Sequence, residues 1–350
     1  MWIDNEVYKE DMKYLSESNC IDWHKLKDKT IFVTGGTGLI GSTLIDSLIY
    51  ANEEQSLNLK IVALVRNMEK ARAKFKNQLI YSSALTFVKG SVESLPKIEM
   101  PIDYIIHGAS PTASSFFVEH PVETIRIAVE GTTKLLDLAV SKNVEGFVYL
   151  SSMEVYGAPH TDEIILETHG TTVDTMSVRS CYPEAKRLCE SLCASYASEY
   201  NVPAMVVRLA QTFGPGVDTS EDNRVFAEFV RCAVNDKDIV LQTAGTSKRC
   251  YLYTAEASSA ILTVLLRGKS GEAYNAANRD TYCSIVEMAK IVVDNLAKTN
   301  INIHVPKDVK HEKKFSPTHN LNLGTDKMEL LGWKAKVILV DMYKRMMGSI

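Results

Sequence analysis

The sequence lacks several features that would assign it to a specialised class of protein. Its seven cysteines form no CxxC pair and are odd in number, so we expect reduced, mostly buried thiols and neither a disulfide framework nor a metal site. Basic residues do not outnumber acidic ones, with Lys+Arg 39 against Asp+Glu 43, and no basic stripe indicates a nucleic-acid partner. No apolar run is long enough to span a membrane, and the charged N-terminus has no signal-peptide core. The protein is therefore expected to be soluble and cytoplasmic.

A glycine-rich turn is the most informative feature that is present. Residues 34–41 read TGGTGLIG; they follow the β-branched run 30–33 and precede the amphipathic stretch 42–50. A strand, a glycine turn and a helix in this order are typical of a dinucleotide-binding βαβ unit, in which the helix N-terminus faces the phosphates. Gly35 allows the tight turn, Gly38 lets the backbone approach a pyrophosphate, and Gly41 lets the helix pack closely. The predicted cofactor-binding residues here are Gly35, Thr37, Gly38, Leu39, Ile40 and Gly41; the alternative is a turn that only packs.

Short apolar runs alternate with amphipathic stretches over the first two thirds of the chain. The predicted strands are residues 30–33, 60–65, 85–88, 103–107, 146–150 and 204–208. This alternation predicts an α/β fold with a doubly wound, Rossmann-type parallel sheet covered on both faces. After residue 214 the elements become shorter, which indicates a smaller lobe over the carboxyl ends of the strands. We therefore divide the chain into an N-terminal helical extension (1–28), a dinucleotide-binding domain (29–214) and a mainly substrate-binding lobe (215–350).

Tyr182 and Lys186 are the first candidates for catalysis. They lie four residues apart, so on a helix they point to the same side. An ammonium group beside a phenol favours the phenolate, which would let Tyr182 exchange a proton with a substrate hydroxyl. Ser152, at the end of the fifth strand, would donate a hydrogen bond to the same substrate oxygen. Taken alone, a Tyr-x-x-x-Lys pair is more often part of a solvated helix face.

Arg66 follows the second predicted strand, where an NAD-specific site has an acidic residue that accepts from the ribose hydroxyls. A guanidinium cannot accept a hydrogen bond, but it can pair with a 2′-phosphate. This position favours NADP over NAD. The alternative is an exposed arginine beside NAD that other groups hold.

Six motifs in order resemble the extended short-chain dehydrogenase/reductases, and within them the nucleotide-sugar epimerase, dehydratase and UDP-glucuronate decarboxylase group. The motifs are residues 34–41, 107–110, 151–157, 182–186, 208–215 and 331–333. The resemblance extends over roughly residues 30 to 345. The local sequence at residues 109–112, 179–187 and 248–250 is most similar to that of the sugar-acid decarboxylases. The resemblance implies a nucleotide-activated sugar as substrate and a homodimer built on two helices of each subunit.

The resemblance also assigns roles to individual residues. Ser152, Tyr182 and Lys186 become the catalytic triad, and Glu154 becomes an acidic auxiliary residue. Lys186 and Ala109 join the cofactor-binding residues. The implied substrate-binding residues are Ser110, Gln211, Arg224 and Arg249. Arg249 would face the diphosphate or a sugar carboxylate, with a surface ion pair as the alternative.

Departures from the family pattern bear on the net reaction. Met153 stands where similar dehydratases have an aspartate and the decarboxylases a serine, and a thioether can neither protonate a leaving hydroxyl nor hydrogen-bond a carboxylate well. Gln211 replaces an asparagine, Ser91 and Glu256 replace aspartates, and residues 315–321 lack an expected arginine. We therefore expect an NDP-sugar 4-epimerase first, a UDP-sugar-acid decarboxylase second and an NADPH-dependent keto-sugar reductase third. A 4,6-dehydratase and a non-catalytic cofactor-sensing protein rank last.

Overall fold

A computed structural model describes residues 4–111, 114–306 and 318–349. In these ranges the strands are β1 (Thr30–Thr34), β2 (Lys60–Val65), β3 (Leu85–Lys89), β4 (Tyr104–His107), β5 (Gly146–Ser152), β6 (Ala204–Leu209), β7 (Gln211–Phe213), β8 (Ile239–Val240), β9 (Lys248–Tyr253), β10 (Ala273–Ala276), β11 (Asn278–Ser284), β12 (Ile303–His304) and β13 (Asn320–Leu321). The α-helices are α1 (Glu6–Ser16), α2 (Leu39–Gln55), α3 (Met68–Lys74), α4 (Lys76–Tyr81), α5 (Ser114–Glu119), α6 (Pro121–Lys142), α7 (Cys181–Glu199), α8 (Val225–Val234), α9 (Thr254–Arg267), α10 (Ile285–Leu296), α11 (Asp326–Leu330) and α12 (Leu339–Gly348). Three short 3₁₀ segments are Trp23–Leu26, Met153–Tyr156 and Val178–Ser180. No helix within the described ranges is long and apolar enough to cross a membrane.

The central sheet has seven parallel strands in the spatial order β10-β6-β5-β4-β1-β2-β3. The predicted α/β fold with a doubly wound parallel sheet is confirmed, and all six predicted strands lie in this sheet. The strand order reverses direction between β1 and β4. The carboxyl ends of these two neighbours form the crevice in which open α/β sheets bind ligands.

Each face of the sheet is covered by helices. Buried side chains of α2 and α9 pack on one face, and those of α6 and α7 pack on the other. Burial on both faces explains why the central strands read as continuous apolar runs rather than as alternating ones.

The segment after residue 214 contributes to both parts of the molecule. Its strand β10 joins the main sheet, and its helix α9 covers one face of that sheet. It also supplies three of the four strands of a second sheet, which is made of β11, β9, β13 and β7. Strand β10 was not among the predicted strands, because its four residues carry no extended apolar pattern. The division of the chain into domains at residues 28 and 214 stays a prediction.

The N-terminal segment packs against the body of the protein. Tyr8, Met12 and Leu15 on α1 are buried in the same core as α2 and α9. The Tyr8 hydroxyl donates to Thr43 of α2 at 3.1 Å. Helix α1 therefore buttresses the outer side of the helix that follows the glycine turn.

Candidate active site

The glycine turn joins β1 to α2 at the crevice. Gly35 has φ +73°, which favours glycine, and a Cβ at this position would lie 2.6 Å from the carbonyl oxygen of Gly108. A Cβ at Gly41 would collide with the carbonyl of Gly35 and lie 2.8 Å from the Cα of Gly36. The turn is thus held between the backbone that follows β4 and the first turn of α2, and both contacts require glycine.

The outer side of this turn is open. Thr37 and Gly38 are exposed, Leu39 and Ile40 are half-buried, and a Cβ at Gly38 would touch only the Gly35 carbonyl, at 3.3 Å. Gly38 caps α2, whose first N–H groups have no acceptor within the helix. A concave row of free donors at a helix N-terminus fits the pyrophosphate of a dinucleotide. The predicted cofactor residues of the turn therefore lie together in a suitable cradle.

Arg66 and Ala109 lie on either side of this cradle. Arg66 is exposed directly after β2, and neither a hydrogen bond nor an ion pair of its guanidinium is found in the described residues. The Ala109 N–H donates to Thr34 Oγ1 at 3.2 Å, which holds the backbone after β4 against the glycine turn. Ser110 is half-buried beside it.

Ser152, Tyr182 and Lys186 come together across the ends of β5 and α7. Tyr182 and Lys186 are buried on the first two turns of α7, and the Lys186 Nζ lies 5.7 Å from the centre of the Tyr182 ring. Ser152 ends β5, and its side chain lies close enough to the Tyr182 phenol to lower the pKa of that group. The ring of Tyr182 is also stacked on Phe117, with 4.3 Å between centroids. This is the arrangement that the sequence predicted for an acid/base tyrosine.

The electrostatics of the phenol depend first on its burial. Burial, and then the negative charge of Glu154, raise the pKa of Tyr182 above its usual value, while Ser152 and Arg179 lower it. Lys186 donates to the carbonyl oxygen of Leu150 at 2.7 Å instead of to the phenol, and burial lowers its pKa to about 8. Burial therefore opposes the phenolate, and the role of Lys186 in favouring it stays a prediction.

Glu154 is held in an ion pair. Its carboxylate lies 3.3 Å from the guanidinium of Arg179, whose side chain is mostly buried. Arg179 is also 5.1 Å from the centroid of the Phe117 ring. The sequence analysis assigned no role to Arg179 or Phe117, although the position of Arg179 one turn before Tyr182 is a usable signal.

Two other residues of the 151–157 motif are structural. Met153 is 4% exposed and packs in the apolar core. The Tyr156 hydroxyl donates to Asn275 at 2.7 Å and accepts from Arg208 at 2.8 Å. Neither side chain is available to a substrate.

The predicted substrate-binding residues lie on three different elements. Gln211 begins β7, and Arg249 lies on the adjacent β9, with a buried Nε for which the described residues supply no partner. An arginine with an unused buried donor fits an anionic group of a ligand. Arg224 caps α8 and pairs with Asp222, with Nε 3.0 Å from each carboxylate oxygen. Arg224 is therefore already neutralised, in contrast to Arg249.

The sequence matches the NAD dependent epimerase/dehydratase family over residues 31–277. It is 29% identical over 318 residues to UDP-glucuronic acid decarboxylase 2 of Arabidopsis thaliana, covering 90% of this chain and 66% of that protein. It is 26% identical over 315 residues to dTDP-D-glucose 4,6-dehydratase of Mus musculus, covering 88% of this chain and 85% of that protein. The solved structure of UDP-glucose 4-epimerase with UDP-glucose from Thermotoga maritima has a TM-score of 0.72 and 21% identity, covering 91% of this chain and 98% of that one. The chain thus spans just under two thirds of the plant decarboxylase and is similar to proteins with three different activities.

Proposed function

The chain belongs to the NAD-dependent epimerase/dehydratase family of enzymes, and from this premise we propose that it oxidises C4 of a nucleotide-activated sugar, with 4-epimerisation as the net reaction. The observation that carries the proposal is the joint placement of Ser152, Tyr182 and Lys186 beside a glycine cradle. These three side chains suffice to remove the proton of the C4 hydroxyl while a hydride leaves C4, and to return that proton when the hydride comes back. Nicotinamide bound in the cradle would supply the hydride acceptor.

Each residue of the triad has a separate task. Tyr182 takes the proton of the C4 hydroxyl, and Ser152 donates a hydrogen bond to the same oxygen. Tyr182 must give up its own proton before it can take that one, and burial raises its pKa, so the transfer depends on positive charge near the phenol. Lys186, 5.7 Å from the ring centre, and Arg179 provide that charge from the protein.

Epimerisation is favoured over elimination because, in the part of the chain that the structure describes, we find no second acid or base free near the triad. The carboxylate of Glu154 is engaged by Arg179 at 3.3 Å, and Met153 is buried in the core. Dehydration needs a group that protonates a leaving hydroxyl, and these side chains do not offer one. Epimerisation needs only the triad and room for the keto sugar to turn.

Decarboxylation of a UDP-sugar acid is the second candidate, and Arg249 favours it. Its buried Nε has no partner in the described residues and fits a sugar carboxylate as well as a diphosphate. The relatives include a protein named as a UDP-glucuronic acid decarboxylase. Oxidation at C4 places a carbonyl β to the C6 carboxylate, so carbon dioxide can leave without a further acid at C6.

A panel of nucleotide sugars with mass-spectrometric detection tests the proposal. The purified protein is incubated with UDP-glucose, UDP-N-acetylglucosamine, dTDP-glucose and UDP-glucuronate, each with NAD and with NADP. We expect a product of unchanged mass that separates from its substrate by chromatography, and no net consumption of cofactor. The Tyr182→Phe variant is the matched control for contaminating activity.

Other products would replace the proposal. Loss of carbon dioxide from UDP-glucuronate supports the second candidate. Gain of two hydrogens with stoichiometric NADPH consumption identifies a reductase, and loss of water identifies a dehydratase. Cofactor binding without turnover of any nucleotide sugar contradicts the assignment of this substrate class.

A further inference from the structure

A chain of buried side-chain hydrogen bonds starts at the cofactor turn. The Ala109 N–H donates to Thr34 Oγ1, and the Nδ1 of His107 lies 2.8 Å from the same oxygen. On its other side, the His107 Nε2 lies 3.1 Å from Thr132 Oγ1 on α6. Thr34, His107 and Thr132 are each at most 1% exposed. Their protons must therefore find acceptors within the protein.

The chain continues onto the catalytic helix. Thr132 donates to the Sγ of Cys189 at 3.2 Å, and Cys189 donates to the carbonyl oxygen of Ala128 at 3.3 Å. Cys189 lies on α7 three residues after Lys186. The chain thus joins the ends of β1 and β4 to α6 and α7.

The donors and acceptors allow only one direction. Thr34 Oγ1 accepts from Ala109, and the acceptor that the described residues offer for its own proton is the unprotonated Nδ1 of His107. The Nε2 then carries the ring proton and donates it to Thr132. In the opposite direction, Nδ1–H would donate to Thr34, and the Thr34 hydroxyl proton would have no acceptor in the described residues. Burial and nearby Lys186 lower the pKa of His107 to about 3, which keeps the ring neutral.

We infer that His107 and Thr132 are positioning residues, which hold the cofactor turn in register with the catalytic helix. The backbone after β4 lies so close to the turn that a Cβ at Gly35 would be 2.6 Å from the Gly108 carbonyl oxygen, and the Thr34–Ala109 hydrogen bond helps to hold that backbone in place. The acceptor that orients Thr34 is His107, and the acceptor that orients His107 is Thr132. Loss of the Thr132 hydroxyl on α6 should therefore loosen the cofactor turn, because it acts through His107 and Thr34.

The test compares Thr132→Val, which removes the hydroxyl at nearly constant shape, with Thr132→Ser, which keeps it. Dissociation constants for NADH and NADPH are measured by fluorescence titration, so no sugar substrate is needed. We expect Thr132→Val to weaken binding of the preferred cofactor about fivefold or more, since it leaves a buried donor unpaired. Thr132→Ser should bind as the wild type does.

Imidazole ¹⁵N NMR supplies a readout that a merely structural role would not change. With ¹⁵N-histidine labelling, and the His107→Gln variant to assign the signals, wild-type His107 should be neutral, with its proton on Nε2, from about pH 5 to 8. In Thr132→Val the proton should shift toward Nδ1. If Thr132→Val does not fold, Cys189→Ala takes its place, with Cys193→Ala as the control for loss of a buried sulfur on the same helix.

Two results would overturn the inference. One is a wild-type His107 that titrates in this range or carries its proton on Nδ1. The other is a Thr132→Val protein, or a Cys189→Ala protein, that melts at a lower temperature yet binds cofactor as tightly as its matched control. Both results are independent of the net reaction on the sugar.

Discussion

At the scale of single residues, the Tyr182 phenol is subject to opposing influences. Burial and the charge of Glu154 keep its proton on, while Ser152 and Arg179 favour its release. Arg179 also holds Glu154 at 3.3 Å, so it offsets the negative charge nearest to the phenol. The acid/base strength of this tyrosine is thus set by the balance of its neighbours and not by its own chemistry.

Tyr182→Phe should lower the rate about 10²–10⁴-fold, because it removes the single hydroxyl that transfers the proton. The fold and NADH binding should remain, as measured by melting temperature and fluorescence titration. The control is Tyr156→Phe, which removes a hydroxyl that bonds to Arg208 and Asn275; this change should lower the melting temperature while keeping most of the rate. A Tyr182→Phe enzyme that retains more than about a tenth of the wild-type rate would contradict the assignment.

Arg66 should determine which dinucleotide binds. An exposed guanidinium after β2 with no partner in the described residues can pair with a 2′-phosphate, so Arg66→Asp should weaken NADPH binding about tenfold or more and strengthen NADH binding. Lys60→Asp makes the same change of charge at the opposite end of β2 and serves as the control. Equal NADPH affinity in the wild type and Arg66→Asp would show that other groups select the cofactor.

At the scale of elements, buried polar groups connect α2 to α4. Asp46 on α2 accepts from Gln78 of α4 at 2.7 Å, but its second oxygen and the Gln78 amide oxygen are both buried, and the described residues supply no hydrogen bond to either. Burial raises the pKa of Asp46 to about 7. A protonated Asp46 provides the missing donor, so this helix contact is best satisfied when the carboxyl is neutral.

The stability of this contact should depend on pH. The folded pKa of Asp46, about 7, lies above the usual 3.8, so its contribution is complete below about pH 4 and is lost as the pH rises toward 7. Asp46→Asn stays neutral and supplies an N–H donor, so it should raise the melting temperature at pH 8 by an amount that shrinks toward pH 4. Thermal denaturation across this range, with exposed Asp294→Asn as control, measures the effect. A gain that is the same at pH 4 and pH 8 would argue against the buried charge as its source.

The exposed sides of α6 and α7 lead to a prediction about assembly. The two helices pack together, yet Val122 is 68% exposed, Ile125 41% and Leu188 48%. The family resemblance places these helices in an isologous four-helix contact, which would cover these side chains. Light scattering at micromolar concentration should give the mass of a dimer, and Leu188→Glu should give the monomer. Ile80→Glu, the same change at a more exposed apolar residue on α4, should remain dimeric; a monomeric wild type would reject the interface.

At the scale of the whole molecule, hydrogen bonds among side chains of α1, α12 and β9 connect the two ends of the chain. Arg345 of α12 donates to Asp11 of α1 at 2.8 Å and to the Tyr253 hydroxyl at 3.0 Å, and Tyr253 donates to Asp11 at 2.5 Å. Tyr253 ends β9, the strand that carries Arg249. The N-terminal segment therefore helps to hold the end of β9 in place.

Arg345→Met should lower the stability by about 1–3 kcal/mol at pH 8, because Asp11 is left buried and charged with only Tyr253 as donor. The loss should be smaller at pH 5, since burial raises the pKa of Asp11 to about 6 and the carboxyl is then largely protonated. Denaturant unfolding of Arg345→Met, Asp11→Asn and the double variant measures the coupling. Strictly additive effects would show that the two side chains do not stabilise each other.

The sequence was sufficient for the features that depend on local pattern. The six strands, the glycine turn and the pairing of Tyr182 with Lys186 on one helix follow from spacing and residue type, which act over a few positions. The burial of the sheet on both faces follows equally from uninterrupted apolar runs.

Other features were decided only by the tertiary structure, because they depend on residues far apart in sequence. The seventh strand, the ion pair that engages Glu154 and the burial of Met153 carry no local signal. The desolvation that raises the pKa of Tyr182 is a sum over everything packed around it. The chain from Thr34 through His107 to Cys189 joins four elements, and its direction emerges only when every buried donor is matched to an acceptor.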